Sequence, residues 1–378
     1  MKQFSIPSGF KDLIMGECND KKQLQLKIEK VLDAWGYREI VTPSIEYFET
    51  YRNGFENIDE QQMFKFTDRK GRLVMLRADM TVPIARLAAT KLKDSPLPLR
   101  LRYCASVYKD HEELGGQLNE MSDCGVELIG VDEKSGDLEI LATALEVMES
   151  LEKNFTLEIG NVNFFKTACR LMDLTIEQIN DLAELIGKKR LIELDEYLND
   201  LKINDTYKHF FKALPWLSGN DDILDEIRSI AFDDQLLKIV DSIALLGNQI
   251  KLLGYNSTLS YDFSKLDNLD YYTGLMFEAY VEGVGFRVLS GGRYDNLIAK
   301  FGQDIPAVGF SIKLDSLINE NATNELVRAT RISYPDNLQI EAMKQAQQLR
   351  KSGKIVELLC DNTLSSIKTE VGEATCCE

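Results

Sequence analysis

Apolar residues recur at helical spacing in some stretches and at alternate positions in others, and these changes of period mark the elements. Leu24, Ile28, Val31, Leu32 and Trp35 predict an amphipathic helix from about residue 20 to Gly36. Residues 39–43 then read as a short strand stopped by Pro43. Residues 63–67 and 72–76 flank Asp-Arg-Lys-Gly and predict a hairpin turning at Gly71. Thr81 is placed to cap a helix whose first turn holds Pro83, where a missing N–H is harmless. Residues 99–129 read as strand, loop, strand, and 137–151 as a helix opened by an Asp cap. A strand at 155–159 follows.

From 160 to about 253 the pattern is almost wholly helical, with Leu182, Leu185, Leu191, Leu194 and Leu198 at mixed helical spacing. Alternation returns at Leu275, Phe277, Ala279 and Val281, and resumes at 287–289 after a turn at Gly283 and Gly285, predicting an antiparallel pair. Residues 319–325 read as a linker. Strands at 327–333 and 354–359 flank a helix at 338–350, a single βαβ unit. The predicted fold is α/β (α+β): an antiparallel sheet flanked by helices, a helical insertion at about 160–253, and a short C-terminal unit. The domain expectation is a core over 1–320 and a separate segment over 326–378.

Composition changes this picture only at its edges. With 378 residues, 44% hydrophobic and 28% charged, the chain can bury a full core. No apolar run is long enough for a membrane span, and the N-terminus lacks a signal peptide's apolar stretch, so a cytoplasmic protein with no membrane partner is expected. The seven cysteines are odd in number and scattered, which predicts reduced thiols; adjacent Cys376 and Cys377 read as incidental. A net charge of −17 leans against a polyanionic partner such as tRNA. His111 and His209 are the only histidines, which excludes a histidine-based triad or metal site.

Candidate chemistry collects around 267–297. Tyr271, Tyr272, Arg293 and Tyr294 fall where strand meets a glycine-rich turn, a place where backbone can approach a ligand closely. Rings as walls, phenols as hydrogen-bond donors and one fixed cation suit a small zwitterion.

Leu269-Asp-Tyr-Tyr-Thr-Gly274, Ser290-Gly-Gly-Arg-Tyr-Asp295 and Pro306-Ala-Val-Gly-Phe310, in this order, resemble the catalytic core of histidyl-tRNA synthetases. They equally resemble a non-synthetase paralogue of those enzymes, the regulatory subunits of ATP phosphoribosyltransferase. The resemblance covers most of residues 1–320 and implies a class II aminoacyl-tRNA synthetase-like sheet. The first helix, strand and Pro43 look like motif 1, which in that family forms a homodimer interface. The 326–378 segment is similar to the opening of an anticodon-binding domain, truncated.

The departures from the synthetase pattern concern phosphate. Motif 2 of active synthetases begins Phe-Arg-x-Glu and has an arginine-rich loop; here Tyr108-Lys109-Asp110-His111 is followed by Glu112, Glu113, Gln117 and Asn119. Lysine, a point charge, does not copy the bidentate arginine grip on phosphate. Asp267 replaces the arginine that begins Arg-Gly-Leu-Asp-Tyr-Tyr, and Ser316 the arginine of the motif 3 pattern Gly-x-Glu-Arg-Leu. Aminoacyl transfer needs cations where phosphate charge develops. Losing all three predicts a chain without adenylation or any catalytic residue.

The amino-acid end is partly kept. Asp79, Thr81, Glu127, Tyr272 and Tyr294 stand at positions that in the family line the histidine site, and Asp123 replaces a glutamine. With Lys109, Tyr271 and Arg293 they form a candidate histidine-pocket remnant, used for binding or retained as a relic. Asp79 has a second reading as a charge at a helix start. The resemblance therefore implies a non-catalytic regulatory subunit of ATP phosphoribosyltransferase in the first step of histidine biosynthesis. Its partners would be a short-form catalytic subunit, a second copy of itself and histidine, with no tRNA and no cofactor. An active histidyl-tRNA synthetase and a histidine sensor without that partner are the alternatives.

Overall fold

A computed structural model of the chain describes residues 5–54, 59–111, 118–255, 259–266, 269, 271–318 and 329–371. It contains two compact units, one of Met1–Asp12 with Lys21–Ile318 and one of Leu13–Asp20 with Asn319–Glu378.

The first helix, α1 (Met15–Ala34), starts earlier than its apolar period and buries Leu24, Ile28 and Leu32. β1 (Arg38–Glu39) is shorter than predicted, although Ile40 N–H still donates to the Arg102 carbonyl at 2.9 Å. β2 (Ile45–Tyr47), α2 (Phe48–Gly54), β3 (Lys65–Thr67) and β4 (Leu73–Leu76) follow. The last two form the predicted hairpin, with Gly71 at φ +76°. α3 (Thr81–Ala89) leads to β5 (Leu99–Tyr108), which pairs antiparallel with β6 (Glu120–Ile129).

α4 (Glu133–Ser150) begins before the predicted position. Its cap is Asp132, whose side chain accepts from Ser135 N–H, while Asp137 is buried inside the helix. β7 (Phe155–Asn161) then enters the insertion: α5 (Val162–Leu171), α6 (Ile176–Gly187), α7 (Leu191–Asp200), α8 (Asp205–Ala213), β8 (Ser218–Gly219), α9 (Ile223–Ile230) and α10 (Asp234–Leu252). β9 (Leu259–Asp262), β10 (Leu275–Val281), β11 (Leu289–Arg293), α11 (Asp295–Ala299) and β12 (Ala307–Lys313) complete the first unit's regular elements.

Among the described residues nine strands make one sheet in the order β1-β5-β6-β12-β11-β10-β7-β9-β8. The five ladders from β5 to β7 are antiparallel, and only β1 on β5 and β9 on β7 run parallel. Strand pairing alternates side chains between two faces. Val126, Leu128, Phe310 and Ile312 join a cluster with Ile28 and Leu32 of α1, Leu141 and Leu145 of α4, Phe164 and Phe165 of α5, and Val240 of α10. Their sequence neighbours face the other way, and that face carries the site.

The second unit holds β13 (Thr330–Tyr334), α12 (Gln339–Lys351), β14 (Val356–Cys360) and β15 (Lys368–Val371). β13 pairs parallel with β14, with Ala342 and Ala346 of α12 packed on Ile332, Tyr334 and Val356. β15 pairs antiparallel with β13 and covers an edge the βαβ reading left open. All its residues are exposed, so it carries no apolar alternation from which to read a strand.

One expectation about cysteine is corrected. Cys104 and Cys124 stand directly opposite on β5 and β6, with Cα atoms 4.1 Å apart, and are disulfide-bonded rather than reduced. Register across a hairpin brings them together, which sequence spacing alone does not reveal. Cys18, Cys169 and Cys360 are free, and Cys376 and Cys377 lie outside the described residues.

Candidate functional site

Across the sheet the register sets out a floor of small residues. Gly125 pairs with Ser311, Ser311 with Ser290, and Ser290 with Glu278. In the neighbouring row Glu127 pairs with Gly309, Gly309 with Gly292, and Gly292 with Met276. Small residues in three adjacent strands leave a depression, which larger residues wall into a cavity of ≈ 680 Å³. That size is within the ~300–1,000 Å³ of ordinary small-molecule sites.

One end is acidic and aromatic. The Glu127 carboxyl, 1% exposed, accepts a hydrogen bond from the Tyr294 hydroxyl and another from Thr81. Tyr271 stacks on Tyr294 with ring centroids 5.3 Å apart, and Tyr272 meets Tyr271 edge-on at 4.8 Å. Burial pushes Glu127 up to about 8 and Asp123 up to about 7. Asp79 is also raised by burial, against the pull of the Val82 N–H. Burial lifts Tyr103, Tyr271 and Tyr294 well above the usual phenol range, with Glu127 adding to it, so all three remain hydrogen-bond donors. Buried carboxyls that tend to stay protonated without a counterion are poised for a cationic group such as an ammonium.

Each wall is fixed from outside. Tyr51, fully buried, donates its hydroxyl to the Asp79 carbonyl at 2.9 Å and accepts from Ala78 N–H at 3.1 Å. The Asp79 carboxylate accepts from Val82 N–H at 2.9 Å. Thr81 is the first residue of α3 rather than its cap, Met80 holds the cap position, and Thr81 faces Glu127. Asp79 bonds the first turn of α3 and also lines the cavity. The Tyr271–Thr273 segment is held by Lys166 Nζ to the Tyr272 carbonyl at 2.7 Å and Asn163 Nδ2 to the Thr273 carbonyl at 2.8 Å. On the motif 2 hairpin, Asn119 ties the two limbs: its carbonyl accepts from Lys109 N–H and its side chain from His111 N–H, both at 2.9 Å.

Asp79, Thr81, Lys109, Asp123, Glu127, Tyr271, Tyr272 and Tyr294 therefore line one cavity. Arg293 does not. Its side chain is 1% exposed and turns away, reaching Asp137 at 2.7 Å, Asp295 at 3.0 Å and the carbonyls of Val131 and Asp132. Burial opposes its charge, yet Asp137 and Asp295 hold the guanidinium above its ordinary range. It braces β11 against α4 and is not the zwitterion's cation. The residues that follow and precede each other on a strand point to opposite faces, and Tyr294 takes the cavity side. Arg287 and Lys313 line the cavity without being sequence candidates: sheet register brings Lys313 to it, and the Lys313 N–H bond to the Val288 carbonyl brings Arg287 alongside. Asp267 and the acids of the motif 2 loop, Glu112 and Glu113, lie outside the described residues, as does Gln117.

This antiparallel sheet, with its buried acidic and aromatic cavity end, is that of a histidyl-tRNA synthetase-type core, and a profile of that family, "Histidyl-tRNA synthetase", matches residues 9–317. Among curated proteins, the ATP phosphoribosyltransferase regulatory subunit of Acetivibrio thermocellus is 35% identical over 93% of this chain and 86% of its own length. That of Thermoanaerobacter pseudethanolicus is 34% identical over 93% of each. A solved structure described as an ATP phosphoribosyltransferase regulatory subunit/histidyl-tRNA synthetase from Bacillus halodurans superposes with a TM-score of 0.85 at 29% identity, covering 96% of this chain and 94% of that one. A histidyl-tRNA synthetase from Nostoc gives a TM-score of 0.75 at 23% identity over 95% and 86%, a likeness of fold. The chain belongs to the family of ATP phosphoribosyltransferase regulatory subunits, on the histidyl-tRNA synthetase fold. Among the described residues no helix is long and apolar enough to cross a membrane.

Proposed function

We propose that the chain is a non-catalytic subunit that binds a short-form catalytic ATP phosphoribosyltransferase, makes it active and gives it sensitivity to histidine. The observation that carries this is an asymmetry. The acidic, aromatic end of the cavity is built and braced, whereas the positions of the three nucleotide-handling arginines of the synthetase pattern read Lys109, Asp267 and Ser316. Ser316 lies in a single 3₁₀ turn, Leu314–Ser316, after β12. A hydroxymethyl there offers no stacking surface and no charge.

Histidine fits the acidic end by chemistry. Its ammonium would face Asp79 and Glu127, with its ring among Tyr271, Tyr272 and Tyr294, which line the cavity. Such a site becomes regulatory if the free energy of histidine binding is coupled to the partner's active state, a coupling that acts equally in both directions. Homodimerisation through the α1 and β1 region, and descent of the second unit from an anticodon-binding domain, belong to the same reading. The net charge of −17 supports the absence of a tRNA partner.

The test is reconstitution. The short catalytic subunit alone should convert ATP and phosphoribosyl pyrophosphate slowly. Adding this chain should raise the rate, confer inhibition by histidine, and move both proteins into one larger species on gel filtration. Separate elution at micromolar concentration, or a catalytic subunit already fully active and histidine-sensitive, defeats the proposal.

A further inference from the structure

The opposite end of the cavity from Glu127 is basic in a chain that is otherwise strongly acidic. Lys313 is the last residue of β12 and stands across from Asp123 on β6. Its backbone N–H donates to the Val288 carbonyl at 2.9 Å, which sets Arg287 beside it. Lys109 reaches the same space from the end of β5. All three are half-buried and line one cavity.

Their partners differ. Arg287 pairs with Glu278 at 2.5 Å, and Glu278 also takes Lys265 at 2.6 Å. Neither the Lys109 nor the Lys313 ammonium makes a hydrogen bond or ion pair with a described residue. Burial, with Arg287 and Lys109 close by, holds Lys313 below the ordinary lysine range despite Asp123. His111 is lowered by burial and then by Lys109 and Lys313, and its buried Nε2 has no partner. Asp123 and Glu278 offset part of the charge on Lys313, and three cations in a partly desolvated cavity favour a further negative group.

We propose that Lys109, Lys313 and Arg287 form an oxyanion subsite beside Asp123, further along β6 from Glu127, that takes a carboxylate or phosphate-type group. A lone lysine replacing an arginine would grip an oxyanion weakly. Lysines from two strands, with a guanidinium alongside, surround it instead. The small floor residues Ser290, Ser311 and Gly292 let a ligand lie flat between the two ends. The subsite extends the histidine reading without depending on it, because the negative group has two sources. It is either the carboxylate of the amino acid in the acidic end or a free phosphoryl anion beside it.

Calorimetric titration of the full-length chain separates these cases, using histidine, histamine (which lacks the carboxylate) and sodium pyrophosphate. Variants Lys313→Met and Lys109→Met keep the length and apolar stem of each side chain, and circular dichroism checks their folding. If the source is the amino acid, histidine binds about tenfold or more tightly than histamine, Lys313→Met removes that margin, and pyrophosphate gives no heat. If it is a phosphoryl anion, pyrophosphate binds without histidine and loses about tenfold or more in each folded variant. Histidine binding that is matched by histamine and indifferent to both lysines, with no pyrophosphate binding, overturns the subsite and leaves the histidine reading standing. Silence towards histidine with lysine-dependent pyrophosphate binding does the reverse. Silence towards all three probes overturns both.

Discussion

Gly309 stands opposite Glu127 in the β6–β12 ladder, and the Glu127 carboxyl fills the space that a side chain at Gly309 would occupy. The Val126 carbonyl closes the same space at 2.5 Å, so backbone as well as side chain blocks any added carbon. Gly309→Ala should therefore displace the carboxyl and strain the ladder, at a cost of ~1–3 kcal/mol of stability for overpacking. Histidine should no longer raise the melting temperature of this variant. Gly187→Ala, at the end of α6 with nothing within 4 Å, is the matched control and should keep the full shift. A normal histidine shift in a folded Gly309→Ala protein would remove Glu127 from the site.

Arg293 gives a contrasting prediction, because it is a brace. Removing one member of a buried pair leaves the other's charge uncompensated, which typically costs ~3–5 kcal/mol. Arg293→Met should lower the unfolding free energy by about that amount, while histidine affinity measured well below the new melting temperature stays within about twofold, less than ~0.5 kcal/mol. Arg293→Met with Asp137→Leu should recover part of the loss, since an apolar pair replaces the ionic one. A selective loss of histidine binding at unchanged stability would place Arg293 in the cavity chemistry after all.

These two arginine and glycine roles show where the sequence was legible. Local period found nearly every helix and hairpin, since burial of one face imposes it. The quoted motifs brought Asp79, Thr81, Glu127, Tyr271, Tyr272 and Tyr294 to one place. Direction was harder. Arg293 and Tyr294 are neighbours in sequence and point to opposite faces, so proximity along the chain could not say which one meets a ligand. Lys313 and Asp123 are far apart in sequence and face each other only through sheet register. The Cys104–Cys124 bridge was missed for the same reason. β15 was missed because an exposed edge strand has no buried face to leave a pattern.

The missing arginines predict chemical silence. ATP–pyrophosphate exchange requires a cation positioned on the α-phosphate as charge develops there. The purified chain should show no histidine-dependent exchange above a blank without protein, and no tRNA binding beyond the nonspecific level at physiological salt. The single variants Lys109→Arg and Ser316→Arg should stay silent as well, because each restores one contact of several. Measurable exchange by the unmodified chain would contradict a purely regulatory role.

The acidic end also predicts a proton linkage with a definite sign. Folding raises Glu127 from 4.5 to about 8 and Asp123 from 3.8 to about 7, chiefly through burial. Between those limits the native state holds more protons than the unfolded state, so stability from these groups is full at low pH and falls as pH rises through their folded values. The difference in unfolding free energy between wild type and Glu127→Gln should therefore shift against wild type from about pH 4.5 to about 8, then level off. An ammonium ligand works in the other direction, because it favours the carboxylates. Histidine binding at pH 7 should release protons, and its affinity should rise from pH 6 to pH 8. Free imidazole titrates near ~6.5, so wild type and Glu127→Gln must be compared in the same buffers. Calorimetry in phosphate and in Tris should give enthalpies that differ by the released protons times the difference in buffer ionisation enthalpy. That difference should shrink in Glu127→Gln. Equal dependence on buffer in both proteins would mean that Glu127 does not ionise when histidine binds, and the ammonium would then have to be held by Asp79 or Asp123.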